Sequence, residues 1–373
     1  MRKFLLALLL LLLSSTPGQA AWRKPDSLAV KIGQMLMIGF RGLDAHTEPS
    51  LESDIRERAI GGVVLFSYDM ASASPVRNIQ SPEQLGSLTS ELQQMSAIPL
   101  FIAIDQEGGK VSRLKPANGF PPSVSAAHLG ALDSPDSTRQ AAGATAALLR
   151  QLNINMDIAP DVDLNTNPDN PVIGKLERSF SRDPAVVVRH AQIFVDAFHD
   201  SGVIAVLKHF PGHGSSTKDT HKDFTDVTST WSKEELEPYR ELIRKGYDDP
   251  VMTAHVFNAG LDSIYPATLS KATVDGLLRT ELGFRGVVIS DDMQMRAISD
   301  LYGLENAIRL AIDAGVDILL FGNNASVYDP EIAEKATKII RALVEEGSIS
   351  RERIDQSYRR IMTLKARTIY HCK

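Results

Sequence analysis

Eight short apolar runs recur along this chain, and they constrain its fold more than any other feature of the sequence. They lie at residues 35–40, 62–66, 100–104, 154–159, 203–207, 251–254, 287–290 and 317–321. The runs are nearly continuous in Val, Ile, Leu and Met and do not alternate with polar residues, which is typical of strands that are buried on both faces. The pattern therefore predicts a parallel sheet.

Helical patterns, with apolar residues three and four positions apart, separate these runs. They cover residues 82–96, 137–152, 184–200, 233–245, 272–282 and 304–314, and two more, 330–346 and 351–367, follow the last run. Asp183 and Asp329 precede first-turn prolines, and Ser232 with Glu235 has the spacing of a capping box. This alternation, without a proline-rich linker, predicts an α/β fold with a single (β/α)8 TIM-type barrel. A doubly wound open sheet is the alternative, and we expect no second C-terminal α/β sandwich domain.

Residues 1–20 have the pattern of a signal peptide. Two basic residues precede ten apolar residues at 4–13, and Gly-Gln-Ala, ending at Ala20, is a small-x-small cleavage sequence. Ten residues fall short of the roughly 20 that span a bilayer, so we expect no stable membrane insertion after cleavage, with an uncleaved anchor as the alternative. The expected product is a single domain over residues 21–373, located in the periplasm or secreted.

Composition excludes two further classes of protein. Cys372 is the only cysteine, so no intramolecular disulfide can form, and stability has to come from the core. The formal net charge is −6, and removal of Arg2 and Lys3 with the leader makes it −8, which argues against nucleic acid as a partner. We expect a monomer.

Polar residues are concentrated where the predicted strands end, and active sites of this barrel lie at those carboxyl ends. These residues are Asp105 and Glu107, Asp157 and Asp161, Lys208 and His209, His255, and Asp291 with Asp292. For Asp291 the alternative interpretation is a helix N-cap. Its place at the predicted barrel rim favours a functional role.

The segment from Lys208 to His221 contains three of the nine histidines of the chain. Imidazole, with an ordinary pKa of about 6.5, both gives and takes a proton near neutrality. In extended backbone, residues i and i+2 project to the same side, so Asp219 can bind one ring nitrogen of His221 and leave the other for a substrate. Pro211 and the glycines at 212 and 214 predict a loop that can swing.

Two charged segments leave alternatives open. Residues 105–113 begin with Asp105, continue with two glycines and end with Arg113, which fits either a ligand-binding turn or a salt-bridged surface turn. Arg178 fits either a ligand clamp or a simple ion pair with Asp183. Neither segment has the spacing of a phosphate-binding loop.

Metal binding is the competing class of site for the histidine segment. His209, His213, Asp219 and His221 are all chemically competent ligands, but the segment lacks a His-Glu-x-x-His helix, and its prolines and glycines prevent a regular helical face. We therefore expect neither a metal nor another cofactor.

Four motifs together resemble the bacterial β-N-acetylglucosaminidases (β-hexosaminidases) of glycoside hydrolase family 3, over nearly the whole chain after residue 20. The motifs are Asp-Gln-Glu-Gly-Gly-Lys-Val-Ser-Arg at 105–113, Arg-Ser-Phe at 178–180, Lys-His-Phe-Pro-Gly-His-Gly at 208–214 with Asp-Thr-His at 219–221, and Ser-Asp-Asp-Met at 290–293. The histidine motif is the most specific of the four. Gln106, Lys110 and Thr220 depart from the residues that are common in the family.

The resemblance implies a role for each matched residue. It makes Asp291 the nucleophile, His221 the general acid/base and Asp219 its orienting partner. It also implies that five residues contact the terminal sugar, namely Asp105, Arg113, Arg178, Lys208 and His209. The implied activity is a retaining, exo-acting hydrolysis of terminal non-reducing β-linked N-acetylglucosamine, with a carbohydrate from cell-wall muropeptides or chitooligosaccharides as the partner.

Other functions remain open at this stage. A β-glucosidase or a glycoside phosphorylase of the same family would use the same nucleophile, and a mechanism in which the substrate acetamide attacks would use Asp291 and Asp292 as helpers. The alternative from another class is a sugar-binding barrel without turnover, although both Asp291 and His221 are present.

Overall fold

Parallel strands form a closed barrel in the computed structural model, which describes residues 27–369. The strands are β1 (Leu36–Gly39), β2 (Gly62–Leu65), β3 (Phe101–Ile104), β4 (Met156–Asp157), β5 (Ile204–Ala205), β6 (Leu207–Phe210), β7 (Thr225–Asp226), β8 (Val251–Thr253), β9 (Val256–Phe257), β10 (Val288–Ile289) and β11 (Leu319–Phe321). Each of the eight predicted runs contains at least one of them. The fifth run is divided into β5 and β6, which occupy one position of the barrel.

Pairing between neighbouring strands closes the ring. Six strands pair in the order β11-β1-β2-β3-β4-β5, and three pair in the order β10-β8-β6, all in parallel. Parallel bridges from Asp161 to Lys208 and from Ile289 to Ile318 join the two groups at both ends. The predicted barrel is therefore confirmed, and the open doubly wound sheet is excluded. Strands β7 and β9 form a small separate ribbon.

Helices surround the barrel. The α-helices are α1 (Ser27–Gln34), α2 (Pro49–Arg56), α3 (Pro82–Met95), α4 (Ala126–Leu132), α5 (Pro135–Gln151), α6 (Pro184–Asp200), α7 (Glu237–Arg244), α8 (Arg296–Ala314), α9 (Ile332–Glu345) and α10 (Arg351–Thr368). Short 3-10 turns lie at Pro116–Asn118, Lys233–Leu236 and Ala267–Leu269, and Ala272–Glu281 is a π-helix. The sequence patterns missed α1, α2 and α4.

Helix-start signals were right at Asp183 and Asp329 and wrong at Ser232. The Asp183 carboxylate accepts the N–H of Ala185 at the start of α6, as predicted. Ser232 and Glu235 do not form a capping box, because the Glu235 carboxylate accepts the N–H of Gly214 in the histidine loop at 3.0 Å instead. Asp329 Oδ1 accepts the N–H of Glu331 at 3.0 Å in the same way as Asp183, although α9 begins two residues after the predicted start, at Ile332.

The amino end of the barrel is closed, so the ligand-accessible face is the carboxyl end. Lys365 of α10 is fully buried there, with Nζ donating to Gln34 Oε1 at 2.7 Å and to the Gly61 carbonyl at 2.8 Å, and it lies 4.7 Å from the Phe101 ring centre. Burial lowers the pKa of Lys365 well below its ordinary value.

The predicted signal peptide and Cys372 lie outside the described residues. Within residues 27–369, no helix combines the length and apolar character needed to cross a membrane.

Candidate active site

A buried lysine links the end of β6 to the loop after β3, across the intervening strand β4. Lys208, in β6, has a side chain that is only 1% exposed, and its Nζ lies 2.9 Å from Asp105 Oδ1 and 2.5 Å from Glu107 Oε1, both after β3. Arg113 donates to the other oxygen of Asp105 at 3.1 Å. Although burial alone would raise the pKa of Asp105, the charges of Lys208 and Arg113 lower it, so Asp105 is held ionised.

Arg178 occupies the centre of this network and does not pair with Asp183. Its guanidinium makes a two-pronged contact with Glu107, with both N–O distances 2.8 Å, and Nε lies 3.3 Å from Asp161 Oδ2. Burial lowers the pKa of Arg178, but the charges of Glu107 and Asp161 raise it overall. The predicted pair with Asp183 is therefore replaced by a buried two-pronged pair with Glu107, and the role of Arg178 as a ligand clamp stays a prediction.

His209 lies between Arg178 and a carboxylate that the sequence analysis missed. Its Nε2 is 3.1 Å from Arg178 Nη2, and its Nδ1 is 2.7 Å from Asp163 Oδ2. A guanidinium can only donate hydrogen bonds, so His209 Nε2 accepts one from Arg178. His209 Nδ1 therefore carries the ring hydrogen and donates its hydrogen bond to Asp163. The backbone N–H of His213 donates to Asp163 Oδ1 at 2.7 Å, so Asp163 anchors both ends of the segment 209–213. Burial would raise the pKa of Asp163, but its contact with the His209 ring lowers the pKa to about 2.

The predicted acid/base pair is formed at the mouth of the barrel. Asp219 Oδ1 lies 2.9 Å from His221 Nδ1 and also accepts the His221 backbone N–H at 2.9 Å, so Nε2 is the ring atom left for a ligand. The His221 side chain is 66% exposed. Desolvation lowers the pKa of His221, but its hydrogen bond to Asp219 and the charge of Asp291 raise it overall.

Asp291 and Asp292 follow β10 and differ in their surroundings. Asp291 is not the N-cap of α8, which begins at Arg296, and its Oδ1 accepts the N–H of Asp292 at 2.8 Å. Burial would raise the pKa of Asp291, but the nearby imidazoles of His255, His209 and His221 lower it. Burial raises the pKa of Asp292 to about 6, although Gln294 and Gly322 donate backbone N–H groups to it. The two carboxyl groups are therefore suited to different roles.

Asp157 and His255 are two other strand-end residues, and each bonds to the backbone of a loop at the site. Asp157 is fully buried and accepts the N–H of Gln106 at 2.9 Å, and burial raises its pKa to about 8. His255 is also fully buried, with Nδ1 bonded to Thr268 and Nε2 2.9 Å from the Asp292 carbonyl. Asp157 holds the loop after β3 and His255 holds the loop after β10, while Asp157 Oδ2 is buried without a hydrogen-bond partner in the described part of the chain.

A cleft of about 640 Å³ opens beside these residues. It is lined by loops that follow β2, β3, β10 and β11, and by His221 from the histidine segment. Arg113, His221 and Asp292 all face it. Arg113 also contacts Asp105, so the cleft adjoins the buried network of Lys208 and Arg178. The volume falls within the range of about 300–1,000 Å³ that is typical of small-molecule sites.

The first half of the histidine loop is packed tightly, which corrects the interpretation of its glycines. A Cβ at Gly214 would lie 1.7 Å from the Leu164 carbonyl oxygen, and one at Gly212 would lie 2.5 Å from Glu235 Cβ. These glycines allow close packing, and the swing of His221 stays a prediction. His213 is buried, bonds to Ser216 and Thr220, and braces the loop, and burial lowers its pKa to about 4.

The four potential metal ligands of the histidine segment do not form one cluster, as a metal site in this segment would require. Among the described residues, Asp161, Asp163 and His209 have ligand atoms within 4.8 Å of one another, whereas Asp219 and His221 belong to a separate pair. The Arg178 guanidinium lies 3.3 Å from Asp161 and 3.1 Å from His209. A positive side chain therefore already contacts two of the three residues of this cluster.

Sequence reasoning brought the right strand ends together but missed supporting carboxylates. Glu107 was recognised at a strand end without being assigned to the site, and Asp163 was not considered. The i, i+2 spacing of Asp161 and Asp163 directly after β4 was an available signal, because alternate residues point to the same side. Glu235 gave a misleading signal, since its spacing from Ser232 suggested a local cap.

Residues 27–364 match the family model described as the glycosyl hydrolase family 3 N-terminal domain. Beta-hexosaminidase A of Pseudoalteromonas piscicida is 33% identical over 92% of this chain and 62% of its own length. Beta-hexosaminidase LpqI of Mycobacterium tuberculosis is 33% identical over 90% of this chain and 82% of its own length. The predicted family is thereby confirmed.

Solved structures give the same result. A family 3 beta-N-acetylglucosaminidase from a Paenibacillus species matches with a TM-score of 0.84 and 39% identity, covering 93% of this chain and 64% of that one. The structure of M. tuberculosis LpqI matches with a TM-score of 0.77 and 32% identity, covering 90% and 93%. The chain thus spans less than two thirds of the first relative in each comparison. On the family match over residues 27–364, the chain belongs to glycosyl hydrolase family 3.

Proposed function

We propose that this protein is a retaining, exo-acting glycoside hydrolase that removes terminal β-linked N-acetylglucosamine from the non-reducing end of its substrate. The observation that carries the proposal is the hydrogen-bonded pair of Asp219 and His221, in which His221 lines the cleft together with Asp292, the chain neighbour of Asp291. Relatives named beta-hexosaminidase and beta-N-acetylglucosaminidase support the choice of sugar.

In the first step, Asp291 attacks the anomeric carbon while His221 gives its Nε2 proton to the leaving oxygen. The lowered pKa of Asp291 keeps the nucleophile ionised, and the raised pKa of His221 keeps the acid protonated closer to neutrality. The products are a glycosyl ester on Asp291 and a neutral leaving group.

In the second step, neutral His221 takes a proton from water, and the resulting hydroxide equivalent attacks the anomeric carbon. The bond to Asp291 breaks, and its carboxylate is restored, so both side chains return to their starting forms. Two displacements preserve the β configuration. Asp219 holds Nδ1 throughout, which fixes Nε2 as the reacting nitrogen.

The sugar itself is proposed to bind on the buried network. Lys208, Arg178, Arg113 and Asp105 present fixed donors and acceptors. Lys208 and Arg113 pair with Asp105, and Arg178 pairs with Glu107, so these groups are held in place before the ligand arrives. His209 is fixed in the same way by Asp163. Such preorganisation reduces the ordering cost on binding and favours hydrogen bonds to sugar hydroxyls.

The direct test is release of a chromophore from an aryl β-N-acetylglucosaminide, with the aryl β-glucoside measured beside it. The proposal expects faster hydrolysis of the N-acetylglucosaminide and β-N-acetylglucosamine as the first product by NMR. Preferential glucoside hydrolysis, or first release of the α anomer, would refute it. We also propose that the enzyme acts outside the cytoplasm, on the basis of the leader-like residues 1–20.

A further inference from the structure

The loop after β2 presents two exposed apolar side chains to the cleft. Tyr68 is 40% exposed and Met70 is 60% exposed, and both line the same 640 Å³ cleft as His221. Large apolar side chains on a cleft wall gain little for folding while they face water, and they gain contact area when a ligand covers them.

The exposure of these side chains does not come from a loose loop. Asp69, which lies between them, is buried and receives bonds of 2.6 and 2.9 Å from Arg41 and one of 2.9 Å from Arg77. Asn324, after β11, accepts the N–H of Met70 at 2.9 Å and donates to the Tyr68 carbonyl at 3.0 Å. A buried ionic cluster and an amide clamp therefore fix the backbone while the two apolar side chains point outward.

The position of Tyr68 and Met70 relative to His221 indicates which part of a substrate these two side chains contact. On the proposed mechanism, the sugar that is released occupies the network of Lys208 and Arg178, and His221 protonates the oxygen that links it to the leaving group. The leaving group must then lie in the remaining part of the cleft, where Tyr68 and Met70 stand. Arg113 contacts Asp105 and faces the cleft, so it marks the boundary between the two parts.

Two cations line the same part of the cleft. Lys222 directly follows His221, has an 80% exposed side chain and lies 3.4 Å from Asp219 Oδ2. Arg296, at the start of α8, pairs with Asp300 at 2.9 Å. Both cations remain accessible to a carboxylate on the leaving group.

We propose that Tyr68 and Met70, held by Asp69 and Asn324, form the seat for the sugar ring of the leaving group. The inference rests on the proposed function and adds the position and chemistry of a second binding site. The ligand is an N-acetylhexosamine pyranose whose C–H face packs on Tyr68 and Met70. Its source is either a chitooligosaccharide, with a neutral second sugar, or a cell-wall fragment, whose second sugar carries a carboxylate.

The test compares a substrate that fills this seat with one that does not. We expect Tyr68→Ala to lower the ratio of kcat/KM for N,N′-diacetylchitobiose to kcat/KM for methyl β-N-acetylglucosaminide by about tenfold, and Tyr68→Phe to restore most of it. Tyr358→Ala on α10 is the matched control, because Tyr358 is half-buried on a helix outside the cleft and the ratio should stay at the wild-type value. An unchanged ratio in Tyr68→Ala, whether neither substrate or both substrates equally lose kcat/KM, would overturn the seat.

A second substrate identifies the source of the ligand. Cleavage of the disaccharide of N-acetylglucosamine and N-acetylmuramic acid is compared with cleavage of diacetylchitobiose in wild type and in Arg296→Gln. A cell-wall source predicts that Arg296→Gln lowers the preference for the carboxylated disaccharide about threefold, and a chitin source predicts no change. Failure of the wild-type enzyme to release N-acetylglucosamine from any of these substrates would overturn the proposed function and the seat together, whereas release with an unchanged Tyr68→Ala ratio would overturn only the seat.

Discussion

Replacement of Asp163 by asparagine tests how the histidine loop is held. Asp163 is buried, and its two oxygens receive different partners: Oδ2 is 2.7 Å from His209 Nδ1, and Oδ1 is 2.7 Å from the His213 N–H. An asparagine has only one oxygen, so its NH2 group must face one of these donors. One charge-assisted bond is lost, and one buried N–H is left without an acceptor.

The magnitude follows from these two losses. A hydrogen bond to a charged group contributes about 1.5–3 kcal/mol, and an unsatisfied buried donor costs about 1–3 kcal/mol. We therefore expect Asp163→Asn to lower the free energy of unfolding by about 2.5–6 kcal/mol. Displacement of His209 also disturbs its contact with Arg178, and a misplacement on the order of 1 Å costs about 10²-fold in rate, so kcat/KM should fall about 100-fold.

Urea unfolding and hydrolysis of an aryl β-N-acetylglucosaminide measure the two effects. Asp169→Asn is the matched control, because Asp169 follows the same strand but is 94% exposed, and its ion pair with Lys175 is 4.0 Å long. This control should change stability by less than about 0.5 kcal/mol. Wild-type stability and activity in Asp163→Asn would refute the role given to Asp163.

Three further predictions concern the chemistry and the leader. His221→Ala should lower kcat/KM about 10²- to 10⁴-fold on poor leaving groups and much less on activated aryl groups, and equal losses would contradict its role as acid. Because the pKa of His221 is raised, kcat/KM on poor leaving groups should fall as pH rises through a midpoint above the ordinary value of about 6.5, and Asp219→Asn should move that limb to lower pH. An unmoved limb would show that another group supplies the proton. Terminal sequencing of the exported protein should begin at Ala21, and an intact Met1 would contradict cleavage.

Much of the barrel could be predicted because its determinants are local. The eight apolar runs correspond to the barrel strands, since parallel strands covered by helices are apolar on both faces. The carboxyl-end rule then located Lys208, His209 and Asp291 near one another. The Asp219–His221 contact followed from residues only two positions apart.

The supporting carboxylates could not be predicted because their partners are distant in sequence. Glu235 has the spacing of a capping residue, but it accepts the buried N–H of Gly214, 21 positions earlier, since that donor has to be satisfied inside the protein. Asp163 reaches His209 and His213 over 46 and 50 positions. The tight packing of Gly214 against Leu164 likewise depends on a strand neighbour that no local pattern reveals.

Trapping of the covalent intermediate tests the central claim most directly. The protein is incubated with a fluorinated N-acetylglucosaminyl fluoride that forms the glycosyl ester but hydrolyses slowly, digested, and its peptides are sequenced by mass spectrometry. The account predicts one sugar on Asp291 and none in Asp291→Asn. A sugar on another side chain, or inactivation without any covalent sugar, would contradict the account.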